Sequence, residues 1–291
     1  MKKNRMSTKY LVLFFVLTLA WTWICGFIPV LFGFTGTGAG TFVFYFGGGA
    51  PSVVALFMVF LTYPKDKRKD YFRRCFSFRQ MGAKWPLITI AVFTLLSVVS
   101  ISVGTGLMGY EMPTMDYIKA IAANPLNIFP VLILSLVSGP LNEEFGWRGY
   151  ALDRLLVRFG FLKGSLLLGF FWAIWHLPWY FTPGQAQYNL LQDSVFHALM
   201  FIPSVMMLSV FVSFVYIKTN RSVLAGALVH MFSNLIGSQL LSSYTTGISM
   251  LIRYTNMVFF LCVIVYAAFS RRFKEEAASV IASILNREQE G

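Results

Sequence analysis

Acidic side chains are scarce in this chain: its 291 residues hold 12 Asp and Glu against 24 Lys and Arg. Charged residues of both signs make up only 12%, whereas a soluble globular domain carries about 25%. Hydrophobic residues reach 57% and the mean hydropathy is +0.66. That balance excludes a water-soluble domain and places the chain in lipid. Cysteine is nearly missing too. Cys25, Cys75 and Cys262 are scattered and odd in number, which excludes a disulfide framework and a CxxC metal clip. Histidine occurs only at 176, 197 and 230, so the HExxH pattern of zinc peptidases is absent. Nor is there an internal repeat, a low-complexity tract or a second domain.

What is present in abundance is apolar sequence of helical length. Hydrocarbon offers the backbone no hydrogen-bond partner, so such runs become spanning helices. They lie at roughly 10–32, 41–62, 86–106, 126–146, 164–181, 194–217, 222–242 and 254–270. The expectation is an all-α membrane protein of about eight transmembrane helices, forming one polytopic domain over 1–291. The first run follows Lys2, Lys3, Arg5 and Lys9 but lacks a small-residue cleavage site, and reads as a retained helix.

Charge sets the orientation. With the N-terminus in the cytoplasm and one crossing per run, every Lys and Arg except Lys119 and Arg253 falls on the cytoplasmic side. This is the positive-inside bias, and it places both termini in the cytoplasm of a multi-pass protein of the cell membrane. The basic excess is therefore topological, and nucleic acid is not an expected partner. Beyond Arg271, Phe273, Ala277, Val280, Ile281, Ile284 and Leu285 share one helical stripe. Residues 271–291 thus read as an amphipathic cytoplasmic tail lying on the inner membrane surface.

A few polar residues interrupt the apolar runs, and each costs free energy there. Glu143, Glu144 and Arg148 sit near or within the fourth run, His176 within the fifth, and His230 with Asn234 in the seventh. Glu144 and Arg148 are one helical turn apart and can pair, while Glu143 points elsewhere. Gly160, flanked by Arg158 and Lys163, is the natural turn between the fourth and fifth helices. Glu143 lies about 17 residues before it and His176 about 16 after it, so an antiparallel hairpin brings both level, roughly 25 Å from the turn. Each feature alone has a structural reading: an ion pair, a core histidine beside Trp172 and Trp175, interhelical glue at His230 and Asn234. Their convergence at similar depth on three helices points to a site. His197 with Asp193 sits near the outer surface and reads as structural.

These residues resemble a known family. Glu143-Glu144-x-x-x-Arg148 is similar to the EExxxR motif of the CPBP family, the CAAX proteases and bacteriocin-processing enzymes, also called the ABI family. Trp172-x-x-x-His176 occupies the place of its FxxxH motif, with Trp where phenylalanine is usual, and His230-x-x-x-Asn234 that of its HxxxN/D motif. The resemblance covers a motif core of about 125–240. It implies an eight-helix intramembrane endopeptidase with an intramembrane catalytic cavity. Its eukaryotic and archaeal members remove the last three residues of prenylated CAAX proteins, and bacterial members process or guard against small peptides.

The chemistry suits the residues. Peptide hydrolysis needs a base for water, an acid for the leaving amine and donors for the oxyanion. Glu143 can serve as base, His176 can orient the water, and His230 with Asn234 can face the oxyanion, with Glu144, Arg148 and Trp172 in support. Two readings of the cofactor stay open: no metal, or zinc held by Glu143, His176 and His230. The expected partners are the bilayer and a membrane-embedded or lipidated peptide or protein substrate. The competing class is a non-enzymatic membrane protein, either a transporter or a peptide-binding immunity protein. No pair of matched broken helices supports a transporter, and none of the motif residues is lost.

Overall fold

The computed structural model describes residues 8–240 and 246–289. Lys2, Lys3 and Arg5, counted among the cytoplasmic charges, lie outside the described residues. Among those described the chain is helical, with no strand. The long apolar helix α1 (Thr8–Leu31) leads into α2 (Gly38–Gly48), whose start is capped by the Thr37 hydroxyl accepting from the Gly40 N–H. A single residue then separates α2 from α3 (Ala50–Thr62), and the two are bent by 46°. The basic α4 (Lys65–Phe76) and the short α5 (Phe78–Met81) precede the spanning α6 (Lys84–Leu107). Next come α7 (Asp116–Ala123), α8 (Ile128–Val137), α9 (Pro140–Gly146) and a π-helical turn, Trp147–Leu152. The remaining helices are α10 (Asp153–Trp175), α11 (Ala186–Asp193), α12 (Val195–Lys218), α13 (Val223–Asn234), α14 (Thr246–Phe269) and α15 (Arg271–Gln289).

Five segments are long and apolar enough to cross a membrane: Thr8–Leu31, Lys84–Leu107, Pro125–Phe181, Val195–Lys218 and Gly247–Phe269. The bent pair α2 and α3 makes a sixth. The expected count of eight therefore differs from what helix length and composition give. The runs at 126–146 and 164–181 fall inside the single stretch Pro125–Phe181, and the run at 222–242 is a shorter apolar helix, Val223–Gly237. Within Pro125–Phe181 the chain nevertheless folds back. Gly160 adopts φ 70° and ψ −177°, a conformation that side-chain-bearing residues rarely enter. Trp172 reaches Glu143, 29 residues earlier; a straight helix would hold them about 40 Å apart.

A buried ionic knot ties α4, the start of α10, the turn after α12 and α15 together. Arg74 on α4 approaches Asp70 at 3.1 Å and Asp153 at 3.7 Å, and Arg221 meets Asp153 at 2.5 Å. The Tyr216 hydroxyl donates to Asp153, and Arg287 of α15 reaches Asp70 at 2.8 Å. Burial pushes the Asp70 carboxyl up, but Arg74, Arg221 and Arg287 outweigh it and hold it below the usual carboxylate range. Paired on both sides, these charges are tolerable where isolated ones would not be.

The tail packs against the helices. Phe273 is buried, with its ring 4.8 Å from Phe161 and 4.8 Å from Phe214. Ala277 and Ile284 are buried as well, and Lys218 pairs with Glu276. The apolar stripe of α15 thus docks largely on the protein's own α10, α12 and α14. Of its residues, Leu285 stays exposed.

Candidate functional site

Three pieces of chain build the site, and the first is α9. Pro140 stands in its first turn, where a missing N–H costs nothing. At its far end Gly146 lies against α3: a Cβ there would meet the Pro51 carbonyl oxygen at 2.3 Å. Glycine is what lets this short helix press into the core. The π-helical turn that follows is wholly buried and carries Arg148. Such widened turns recur at functional sites.

Glu143 and Glu144 leave α9 in different directions, as the helical rotation requires. Glu144 Oε1 faces Arg148 Nη1 at 2.9 Å and His230 Nδ1 at 3.0 Å. Arg148 also donates to Ser209 Oγ at 3.1 Å, and its guanidinium lies 4.7 Å from the Trp172 ring. Glu144 and Arg148 are fully buried. Glu143, by contrast, forms no ion pair among the described residues. Its Oε2 accepts the indole N–H of Trp172 at 2.5 Å.

The second piece is α10 after its turn at Gly160. Trp172 touches three motif residues at once: it donates to Glu143, covers Arg148 and meets the His230 ring edge-on at 4.8 Å. One turn later, His176 Nδ1 lies 2.8 Å from the Trp172 carbonyl oxygen. A carbonyl only accepts, so Nδ1 carries the proton and a neutral ring leaves Nε2 free to accept. His176 is partly exposed and walled by Trp175, Trp179 and Phe201. The third piece is α13, whose start is capped by the Ser222 hydroxyl accepting from the Ala225 N–H. It presents His230 and, one turn on, Asn234, after which the helix widens into a second π-helical turn, Leu235–Gln239.

A small cleft of about 60 Å³ opens beside these elements. Glu143 and His176 line it, together with Tyr45, Gly48, Ser138, Asn142, Trp175 and Trp179. His230 and Asn234 are not among its lining residues; the structure brings the carboxylate and one imidazole onto the cleft, and the second imidazole meets the Trp172 ring that holds Glu143. His197 pairs with Asp193 at 2.6 Å, away from this cleft. Among the described residues no group of three or more His, Cys, Asp or Glu is placed to hold a metal ion. Hydrogen bonds occupy Glu143 Oε2, His176 Nδ1 and His230 Nδ1, so Glu143 Oε1, His176 Nε2 and His230 Nε2 are the atoms that a zinc ion would have to use.

Two contacts carry information beyond the motifs. Trp172 is a hydrogen-bond donor to Glu143, a role that the aromatic wall alone does not convey and phenylalanine cannot fill. The tryptophan in a phenylalanine position was the available signal. Ser209 supports Arg148 from α12, and nothing in its sequence surroundings marks it.

Residues 125–236 match the family model of the Rce1-like type II CAAX prenyl endopeptidases. Over 234 residues the chain is 26% identical to CAAX prenyl protease 2 of Methanococcus maripaludis, an alignment covering 77% of this chain and 82% of that protein.

Proposed function

We propose that this chain, which belongs to the Rce1-like family of type II CAAX prenyl endopeptidases, cleaves a peptide bond near the C-terminus of a prenylated, membrane-associated protein. The observation that carries the reading is the placement of an unpaired Glu143 carboxylate and the His176 imidazole on one cleft. Glu143 takes a proton from water as the water oxygen attacks the scissile carbonyl carbon. Trp172 fixes the carboxylate through one oxygen and leaves the other for that water. His176 Nε2 accepts the water's second hydrogen and holds its lone pair toward the carbonyl. The tetrahedral oxyanion is met from the α13 side, by the His230 ring and the Asn234 amide. Glu144 Oε1, 3.0 Å from His230 Nδ1, orients that ring. Collapse of the intermediate breaks the C–N bond, and the proton held by Glu143 passes to the leaving amine.

The test is direct. Detergent-purified protein, incubated with a farnesylated C-terminal peptide and its unprenylated twin in the presence of a strong chelator, is expected to cut the farnesylated one. Mass spectrometry locates the bond. Cleavage of neither peptide by a folded protein would defeat the endopeptidase reading. Cleavage only after zinc is added back would replace the metal-independent route.

The reading also fixes a topology, with both termini in the cytoplasm, supported by the one-sided distribution of Lys and Arg. Single cysteines at Gly38 and Tyr188 should react with an impermeant reagent from outside, and at Lys69 only from inside. Labelling of Lys69→Cys from outside would overturn the orientation.

A further inference from the structure

Arg253 is held differently from Arg74, Arg148 and Arg221. Arg148 has Glu144, Arg74 has Asp70 and Arg221 has Asp153. Arg253 lies on α14 within the apolar span Gly247–Phe269 and meets no carboxylate among the described residues. Its contacts are a 3.4 Å hydrogen bond from Nη1 to Ser204 Oγ and the Phe201 ring, 5.7 Å from Cζ. Its Nε is buried with no partner, while the side chain as a whole keeps some exposure. One turn further along the same face, Asn256 buries an unpartnered Oδ1. A guanidinium at such a depth calls for an anion, and its planar fork matches a carboxylate.

Its neighbour says which one. Phe201 touches Arg253 and also packs on His176, with ring centroids 5.1 Å apart. The guanidinium is therefore within about 11 Å of the catalytic imidazole, the reach of about three extended residues at ~3.3–3.6 Å each. We propose that Arg253 binds the free α-carboxylate of the substrate and so measures the cut from the chain end. This rests on the endopeptidase reading and gives it a specificity determinant. The anion could come instead from a phospholipid phosphate, and the two sources separate by experiment.

Two farnesylated peptides, identical except for a C-terminal carboxylate or carboxamide, are compared with the wild-type protein and with Arg253→Gln, with thermal stability in detergent measured alongside. The wild type is expected to prefer the carboxylate by 10- to 100-fold in kcat/KM, mainly through KM. In Arg253→Gln that ratio should collapse toward one, and Arg253→Lys should restore part of it. A wild type indifferent to the terminal group sinks the proposal without any variant, so a poorly folding Arg253→Gln does not shield it. Equal losses on both peptides assign the arginine to lipid phosphate or to folding. Glu143→Gln is the separate control: if it cuts normally, the proposed role of Glu143 fails and the carboxylate preference still stands or falls by its own ratio.

Discussion

Glu143→Gln should leave a well-folded protein whose turnover has fallen by about 10²- to 10⁴-fold, the usual cost of losing a general base. The structure explains why stability is spared. Glu143 forms no ion pair among the described residues, and its observed partner is the Trp172 indole N–H. The glutamine carbonyl accepts that same hydrogen bond, keeps the volume and leaves the cleft its shape. What it cannot do is take a proton from water. Peptide cleavage and thermal unfolding in detergent, run side by side, separate the two effects. A folded Glu143→Gln that cuts at the wild-type rate would remove Glu143 from the mechanism.

Glu144→Gln should behave in the opposite order, with stability lost first. Its carboxylate stands between Arg148 and His230, at 2.9 Å and 3.0 Å, with no exposure to solvent. Neutralising it strands the Arg148 guanidinium in an apolar interior, a change that costs about 3–5 kcal/mol when a buried pair is broken from one side. Activity falls as well, because His230 loses the group that orients it. The expected result is a lower unfolding temperature and lower yield, with weak residual cleavage. If Glu144→Gln is instead as stable as wild type but inactive, while Glu143→Gln still works, the two roles are reversed.

What could be read from the sequence follows from the range of the interactions concerned. The Glu144–Arg148 pair is local, set by helical spacing, and the structure shows it. So is the reversal at Gly160, marked by a glycine between two basic residues. Partners across helices were out of reach. At Trp172 the exchange of phenylalanine for tryptophan signals a new N–H but not that it meets Glu143, and nothing at His230 announces Glu144. The number of spans was read from apolar run length, which does not see that α13 is short or that α2 and α3 bend. The docking of the tail was out of reach for a related reason. An amphipathic stripe has the same pattern whether it faces lipid or protein, and only the rings of Phe161 and Phe214 show the contact with protein.

The two carboxylates are also held across different stretches of chain. Glu143 is gripped by Trp172 across 29 residues, Glu144 by His230 across 86. Closing the longer loop costs more chain entropy, and it cannot close until α12 has been threaded between them. Loop length alone therefore favours seating Glu143 in its hairpin before His230 arrives with the docking of α13. If hydrolysis uses both groups as proposed, competence is expected only after that docking, and a half-inserted chain would carry a positioned glutamate and no working peptidase.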